Sequence, residues 1–370
     1  MITQLRFSTP AVLLLVLSSA MLAAQDADVS APSQKDTEPA AWTFQESGST
    51  ASLRGLHVVN SRVVWASGTG GTVLRTTDSG ANWSAVNIAG AEELDFRDVH
   101  AWDESSAVVI SAGTPARIYR TSNGGDTWEQ VFEHPHEKAF FDALSFYDDV
   151  HGIVMSDPVD DRVLLITTSD GGATWTEAPA ENRPVVIPGE GGFAASGTNM
   201  RISPAGHTLI ALGSAKEGEE FEESRIVFST GNRADWQVAT VPIPRTPSAG
   251  IFSMCFVDSM HGIVVGGDYL DQDRSNLNAA ISSDGGLTWA TPTGTTPGGY
   301  RSCVAPLIEN GELTLVTVGP GGTDISRDLG NNWTTISAEG FHSVQFATDE
   351  PIGWATGSDG RIARWSGLIE

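Results

Sequence analysis

One seven-residue phrase recurs along this chain and limits what the chain can fold into. Ser169-Asp170-Gly171-Gly172-Ala173-Thr174-Trp175 has close copies ending at Trp128 and Trp289, and looser ones, around Asp78 and Asp328, ending at Trp83 and Trp333. A degenerate copy, from Ser229 to Trp236, is one residue longer. With Trp42, which lacks the turn, the anchoring tryptophans stand at 42, 83, 128, 175, 236, 289 and 333. A period in this range points to a ring or stack of one supersecondary unit. The length of 370 residues would otherwise suggest two ordinary domains.

Between the tryptophans a second phrase returns. Leu53-Arg54-Gly55-Leu56-His57-Val58 alternates and turns at Asn60-Ser61; then come Val63 to Gly68, Val73 to Thr76, and Trp83 to Val86. This reads as four short strands joined by tight turns, with period-2 alternation and Gly/Asp/Asn punctuation. The first two strands of the unit occur seven times, most similarly at Ala143–Val154 and Ser253–Val264. Weaker copies span 198–213 and 300–319, and no amphipathic helix pattern of useful length interrupts the series.

The two ends settle the topology. Trp354 to Arg364 repeats Trp65 to Arg75, and the chain then stops before any fourth strand. Trp42-Thr43-Phe44-Gln45-Glu46 resembles a fourth strand with no blade in front of it. The N-terminal strand is therefore expected to complete the last blade. The fold class is all-β, a seven-bladed β-propeller of four-stranded antiparallel blades over 41–370, and closure removes the free sheet edges.

Residues 1–24 read as a secretory signal: Arg6, the apolar run from Ala11 to Leu17, then small residues near Ala23-Ala24. The stretch is short for a membrane-spanning helix, and no Cys stands near the cleavage region to carry a lipid. Residues 25–40 form an acidic, flexible leader. A periplasmic or secreted protein, without a membrane span after signal removal, is the expectation. The formal charge of −25 argues against nucleic acid and anionic membranes, which call for a Lys/Arg surplus. Only Lys35, Lys138 and Lys216 are lysines among 21 basic residues, so clusters of arginine, with its bidentate fork, are worth following. The two cysteines, Cys255 and Cys303, each lie in an apolar strand; buried free thiols are expected, and a disulfide stays open as the alternative.

Physical chemistry gives the turn phrase a structural role. Asp accepts N–H bonds within the turn, the glycines supply positive φ, and the Trp packs between sheets. Asp78, Asp170, Asp284 and Asp328, with Trp83, Trp128, Trp175, Trp289 and Trp333, are thus framework residues that do not meet in one site. These turns resemble Asp-box (BNR) repeats, found in sialidases and in many non-enzymatic propellers. Through Leu53-Arg54-Gly55, Trp65-Ala66-Ser67-Gly68 and Gly357-Ser358-Asp359-Gly360-Arg361, residues 41–366 further resemble the photosystem II stability/assembly factor-like propellers. That resemblance implies seven blades, a lumenal or periplasmic setting and a role in binding and assembling another protein.

Aligning the innermost strands places Arg54, Arg97, Asp142, Thr198, Phe252, Arg301 and His342 in one register, two residues before an apolar position. Asp98 and Tyr300 adjoin this ring, and neighbouring loops add Asp157-Pro158 and Asp268-Tyr269. Two readings stand side by side. In one, the arginines simply pair with Asp98, Asp142 and other carboxylates around the channel. In the other, they clamp a carboxylate or an acidic segment of a protein partner, since Arg forks suit carboxylates. The second leads to a monomeric, non-catalytic binding or assembly factor that needs no cofactor or metal. Insertions at 181–193, 214–224 and 268–278 are expected to supply its specificity.

The rival class is a sialidase-like glycoside hydrolase, because three Arg, an Asp and a Tyr are ingredients of such a site. Against it, the Phe/Tyr-Arg-Ile-Pro phrase is absent, the blades number seven, and no Glu stands in the ring to activate Tyr300 or Tyr269. No G-x-S-x-G, H-E-x-x-H, C-x-x-C or Walker loop occurs. His134 and His136 read as loop residues rather than metal ligands, and His151 and His261 as turn residues.

Overall fold

The computed structural model describes residues 41–230 and 235–367. The expected signal and leader lie outside the described residues, as do 231–234 within the degenerate turn. The described chain forms seven antiparallel sheets, and within six of them the strands follow chain order from inside to outside. The seventh takes its fourth strand from the other end of the sequence: Trp42–Gln45 pairs with Ile362–Trp365, Trp42 opposite Trp365 and Gln45 opposite Ile362. Each innermost strand touches the innermost strand of the next blade, and that of the seventh touches that of the first. The ring is shut by the N-terminal strand, as the repeat pattern requires.

The fifth blade departs from four strands. Its named strands are Ala249–Phe256, Gly262–Asp268 and Ala279–Ser282, and the outer position holds one bridge, Ile281 with Ala290. Pro292 and Gly294 follow at once; Pro has no N–H for a ladder and Gly weakens one.

The hydrophobic core is divided among the spaces between blades. Trp175 packs with Val108 and Ile110 of blade 2 and with Leu144, Val154 and Leu164 of its own blade 3. Trp289 lies between blades 4 and 5, Trp333 between 5 and 6, and Trp42 between 6 and 7. Trp83 and Trp128 pack at the edges of the two clusters that flank blade 1. The recurring tryptophan thus glues each blade to the one before it, where a large ring buries the most area.

The turns hold themselves. Asp170 accepts hydrogen bonds from Thr168 Oγ1 (2.8 Å), the Thr174 N–H (2.9 Å) and Thr174 Oγ1 (2.6 Å). Gly171 and Gly172 have φ of 67° and 79°, where a side chain would be strained, and Trp175 Nε1 donates to Gly172 O. Asp78, Asp284 and Asp328 repeat this pattern with Asn82, Thr288 and Asn332. Thr174's bonds hold the Asp170 carboxyl down at about 2, ionised and committed to the turn. Cys255 and Cys303 are buried free thiols. His151 and His261 bond Asp148 and Asp258 within their turns, and buried His134 lies 3.1 Å from the Glu177 carboxylate.

Candidate functional site

The register position has a backbone cause. In four blades the innermost strand carries a β-bulge there: the pairing skips Arg54 between Leu53 and Gly55, Arg97 between Phe96 and Asp98, Asp142 between Phe141 and Ala143, and Phe252 between Ile251 and Ser253. A bulged residue is freed from the ladder and re-aimed, a common device beside binding sites. Sequence alignment found the position; the bulge explains why its side chains leave the sheet.

Arg54, Arg97, Phe252, Tyr269, Tyr300 and His342 line one cavity of about 540 Å³, together with Phe193, Ala194, Ala195, Gln272, Pro320 and Ser358. Its size is that of an ordinary ligand pocket. One wall is aromatic: Phe193 stacks on Phe252 with centroids 4.1 Å apart, Tyr300 meets Phe252 edge-on at 4.7 Å, and Tyr269 stands edge-on to both phenylalanines. The other wall is cationic. Arg97 donates from Nε to Asp95 at 2.6 Å and from Nη1 to Ala194 O at 2.8 Å. Arg54 reaches Ala195 O at 3.4 Å, and no carboxylate among the described residues lies within ion-pair distance of it. Burial, then the charge of Arg97, hold the Arg54 guanidinium below its usual range.

Burial keeps both His342 and Tyr300 in their neutral forms. Burial pushes the His342 imidazole down to about 3, with Arg54, Arg97 and Arg361 adding repulsion, so it is neutral at pH 7 and bonds Ser358 Oγ at 3.0 Å. Burial drives the Tyr300 phenol above its usual value. None of the residues lining this cavity is Asp or Glu, so neither the acid nor the Tyr-activating Glu of the sialidase-like alternative stands in it.

Other members of the expected ring go elsewhere. Arg301 is buried and not at the mouth: its Nε meets Asp324 Oδ2 at 2.5 Å and its Nη1 donates to Tyr300 O. Asp324, on the third strand of blade 6, also accepts from Thr335 Oγ1, which completes a buried ion pair with the residue just ahead of the inner strand. Thr198 is buried below the mouth, bonded to Ser253 Oγ. Asp98 turns inward and accepts the N–H groups of Val99 and Leu144, so it is not a counter-ion for Arg97. Asp142 and Asp157 face the loop at Gly191 and Gly192 behind the mouth. Asp268 accepts the Leu270 N–H within its own turn. Phe193, Ala194 and Ala195 lie outside the register that the repeat alignment picks out. The insertion at 181–193 was the signal for them, but only the folded loop shows their carbonyls meeting Arg97 and Arg54.

No family model and no curated protein matches the sequence. Among solved structures, the chain is similar to one titled "YCF48 bound to D1 peptide", with a TM-score of 0.60, 17% identity, and 89% of this chain and 96% of that chain covered. It is also similar to YCF48 from Cyanidioschyzon merolae, with a TM-score of 0.59 at 17% identity, covering 88% of this chain and 99% of that one. At this identity the likeness is one of fold.

Proposed function

We propose that the protein is an exported, monomeric propeller of Asp-box type that binds a partner protein in the manner of an assembly or stability factor, without catalysis of its own. Its mouth takes a carboxylate-bearing peptide segment. The observation that carries this reading is Arg54. It is a bulged guanidinium beside Arg97, without a carboxylate in ion-pair distance among the described residues, opposite the stacked Phe193–Phe252 wall. In a chain of charge −25, two arginines left this lightly compensated favour an anionic ligand group. The aromatic wall offers an apolar residue beside that group a place to pack. The neighbour titled as bound to a D1 peptide supports a peptide as the class of ligand. The apolar run and small residues before Ala24 support export.

The test is fluorescence anisotropy with labelled acidic peptides, each made with a free C-terminal carboxylate and with an amide. Arg54→Ala with Arg97→Ala is expected to weaken binding by about tenfold or more, since each lost charge-assisted bond is worth ~1.5–3 kcal/mol. The amide series tells a chain terminus from Asp or Glu side chains. Binding that ignores the double substitution removes the mouth as the site. Mass spectrometry of the mature N-terminus checks export; an intact Met1 counts against it.

A further inference from the structure

We propose that Asp142, Asp157 and Asn199 form a binding site for a calcium-type divalent cation, buried behind the mouth where the third blade meets the fourth. This goes beyond the peptide-binding reading and stands without it. Asp142 and Asp157 are both extra residues of β-bulges, on the first and second strands of blade 3. Both carboxyl groups come up against one stretch of backbone. A Cβ on Gly192 would lie 3.1 Å from Asp142 Cγ and 2.9 Å from Asn199 Nδ2, and a Cβ on Gly191 would lie 2.6 Å from Asp157 Oδ1. Glycine at both positions lets the loop approach this closely.

Two of the three side chains find no hydrogen-bond partner among the described residues. Asp142 and Asn199 are fully buried, yet neither oxygen of the first and neither amide atom of the second has a hydrogen-bond partner among the described residues. Asp157 Oδ1 accepts the Gly192 N–H at 3.0 Å. The nearby arginine, Arg97, is bonded to Asp95 and Ala194 O and makes no ion pair with Asp142. Burying the Asp142 carboxylate beside the half-buried Asp157, without an ion pair to either, is costly. A divalent cation answers both charges at once.

The donor chemistry selects the ion. Carboxylate oxygens, with the Asn199 amide turned to present Oδ1 in place of Nδ2, suit calcium, which accepts irregular oxygen cages, whereas zinc asks for nitrogen or sulfur and magnesium for a near-ideal octahedron. There is also a route in. Asp157 and Gly192 line a second cavity, of about 580 Å³, whose walls include Asp160 and Asp161 as well as Lys138, while its Glu190 is already paired with Arg225. The net excess of carboxylates in this vestibule favours cations at Asp157, the member of the site that the cavity reaches. Occupancy would brace the loop that runs from Gly192 through Phe193 to the carbonyls held by Arg97 and Arg54.

The experiment is a thermal melt of the EDTA-treated full chain in calcium, magnesium or sodium chloride at matched ionic strength. Calcium at a hundredfold excess over its Kd is expected to raise the midpoint by about 3–5 °C, and sodium to leave it unchanged. Asp142→Asn, which keeps the shape and removes the charge, loses this rise; Asp160→Asn in the vestibule keeps it. Should Asp142→Asn fail to fold, calorimetric calcium titration of Asp157→Asn replaces it, with affinity expected to fall at least tenfold. The proposal is overturned by a wild-type melt indifferent to calcium, which leaves water as the partner of Asp142. It is equally overturned by a calcium response that survives both Asp142→Asn and Asp157→Asn, or that Asp160→Asn alone abolishes.

Discussion

Arg54 and Arg97 in the first two blades and Arg301 in the sixth share one register in the repeat, and the fold uses them in opposite ways. Arg301 is sealed against Asp324. Arg54 and Arg97 stand half-buried at the mouth. Two local differences account for this. Arg54 and Arg97 sit on bulges, whereas Arg301 precedes its strand and donates its backbone N–H to Gly266 O. Asp324 stands two residues before the turn-opening Ser326, a place filled in blades 1 and 2 by the buried apolar side chains of Leu74 and Tyr119. The same residue type becomes framework or binding group according to what the third strand of its own blade offers it.

The sharpest way to break this comparison is Asp324→Ala, which leaves a buried guanidinium uncompensated. It is expected to cost about 3–5 kcal/mol in urea unfolding. A cost under ~1 kcal/mol would show that Arg301 escapes to solvent and belongs with the mouth arginines after all. Replacing both partners, Arg301→Leu with Asp324→Leu, is expected to recover most of that loss, because well-packed apolar groups often replace a buried ion pair without penalty.

Asp98 tests the other side of the comparison, since it neighbours Arg97 in sequence without serving it. Burial pushes its carboxyl up to about 7, against the usual 3.8. The folded state therefore holds a proton that the unfolded state has released between pH 4 and 7. Asp98 contributes fully below pH 4, and that contribution is lost as pH rises to 7 at about 1.4 kcal/mol per unit. Across that window Asp98→Asn is expected to gain stability on wild type with this slope. His342 runs the opposite way: its depressed value adds stability above pH 6.5 that is lost toward pH 3, so only the difference between variant and wild type isolates Asp98. A difference curve of the opposite sign, with Asp98→Asn losing ground on wild type as pH rises through the usual carboxyl range, would return Asp98 to service as a counter-ion. The smallest effect belongs to Arg54→Ala with Arg97→Ala, whose one partly exposed ion pair, to Asp95, contributes about 0–1 kcal/mol to folding. A larger loss would make these arginines framework too.

Much of this architecture was legible because it is local and repeated. A turn that satisfies its own Asp, as at Asp170 or Asp284, leaves a readable string of residue types; so does a strand that alternates. The missing fourth strand after Arg364 and the surplus one at Trp42 named each other as partners. The outer edge of blade 5 was harder, since the Pro and Gly that end it stand just past a tryptophan that otherwise looks regular. Of the seven residues that alignment puts in one register, Arg54, Arg97, Phe252 and His342 line one cavity, whereas Arg301, Asp142 and Thr198 do not.

What the sequence determined by itself was the count of blades, the closure of the ring and the role of each turn, because hydrogen bonds within seven residues and alternation along one strand set all three. Tertiary structure decided which charges stay free. That choice depends on groups brought in from elsewhere in the chain: Asp324 beside Arg301, and the carbonyls of Ala194 and Ala195 against Arg97 and Arg54. Burial and counter-charge are properties of a packed neighbourhood, and no spacing along the chain encodes them.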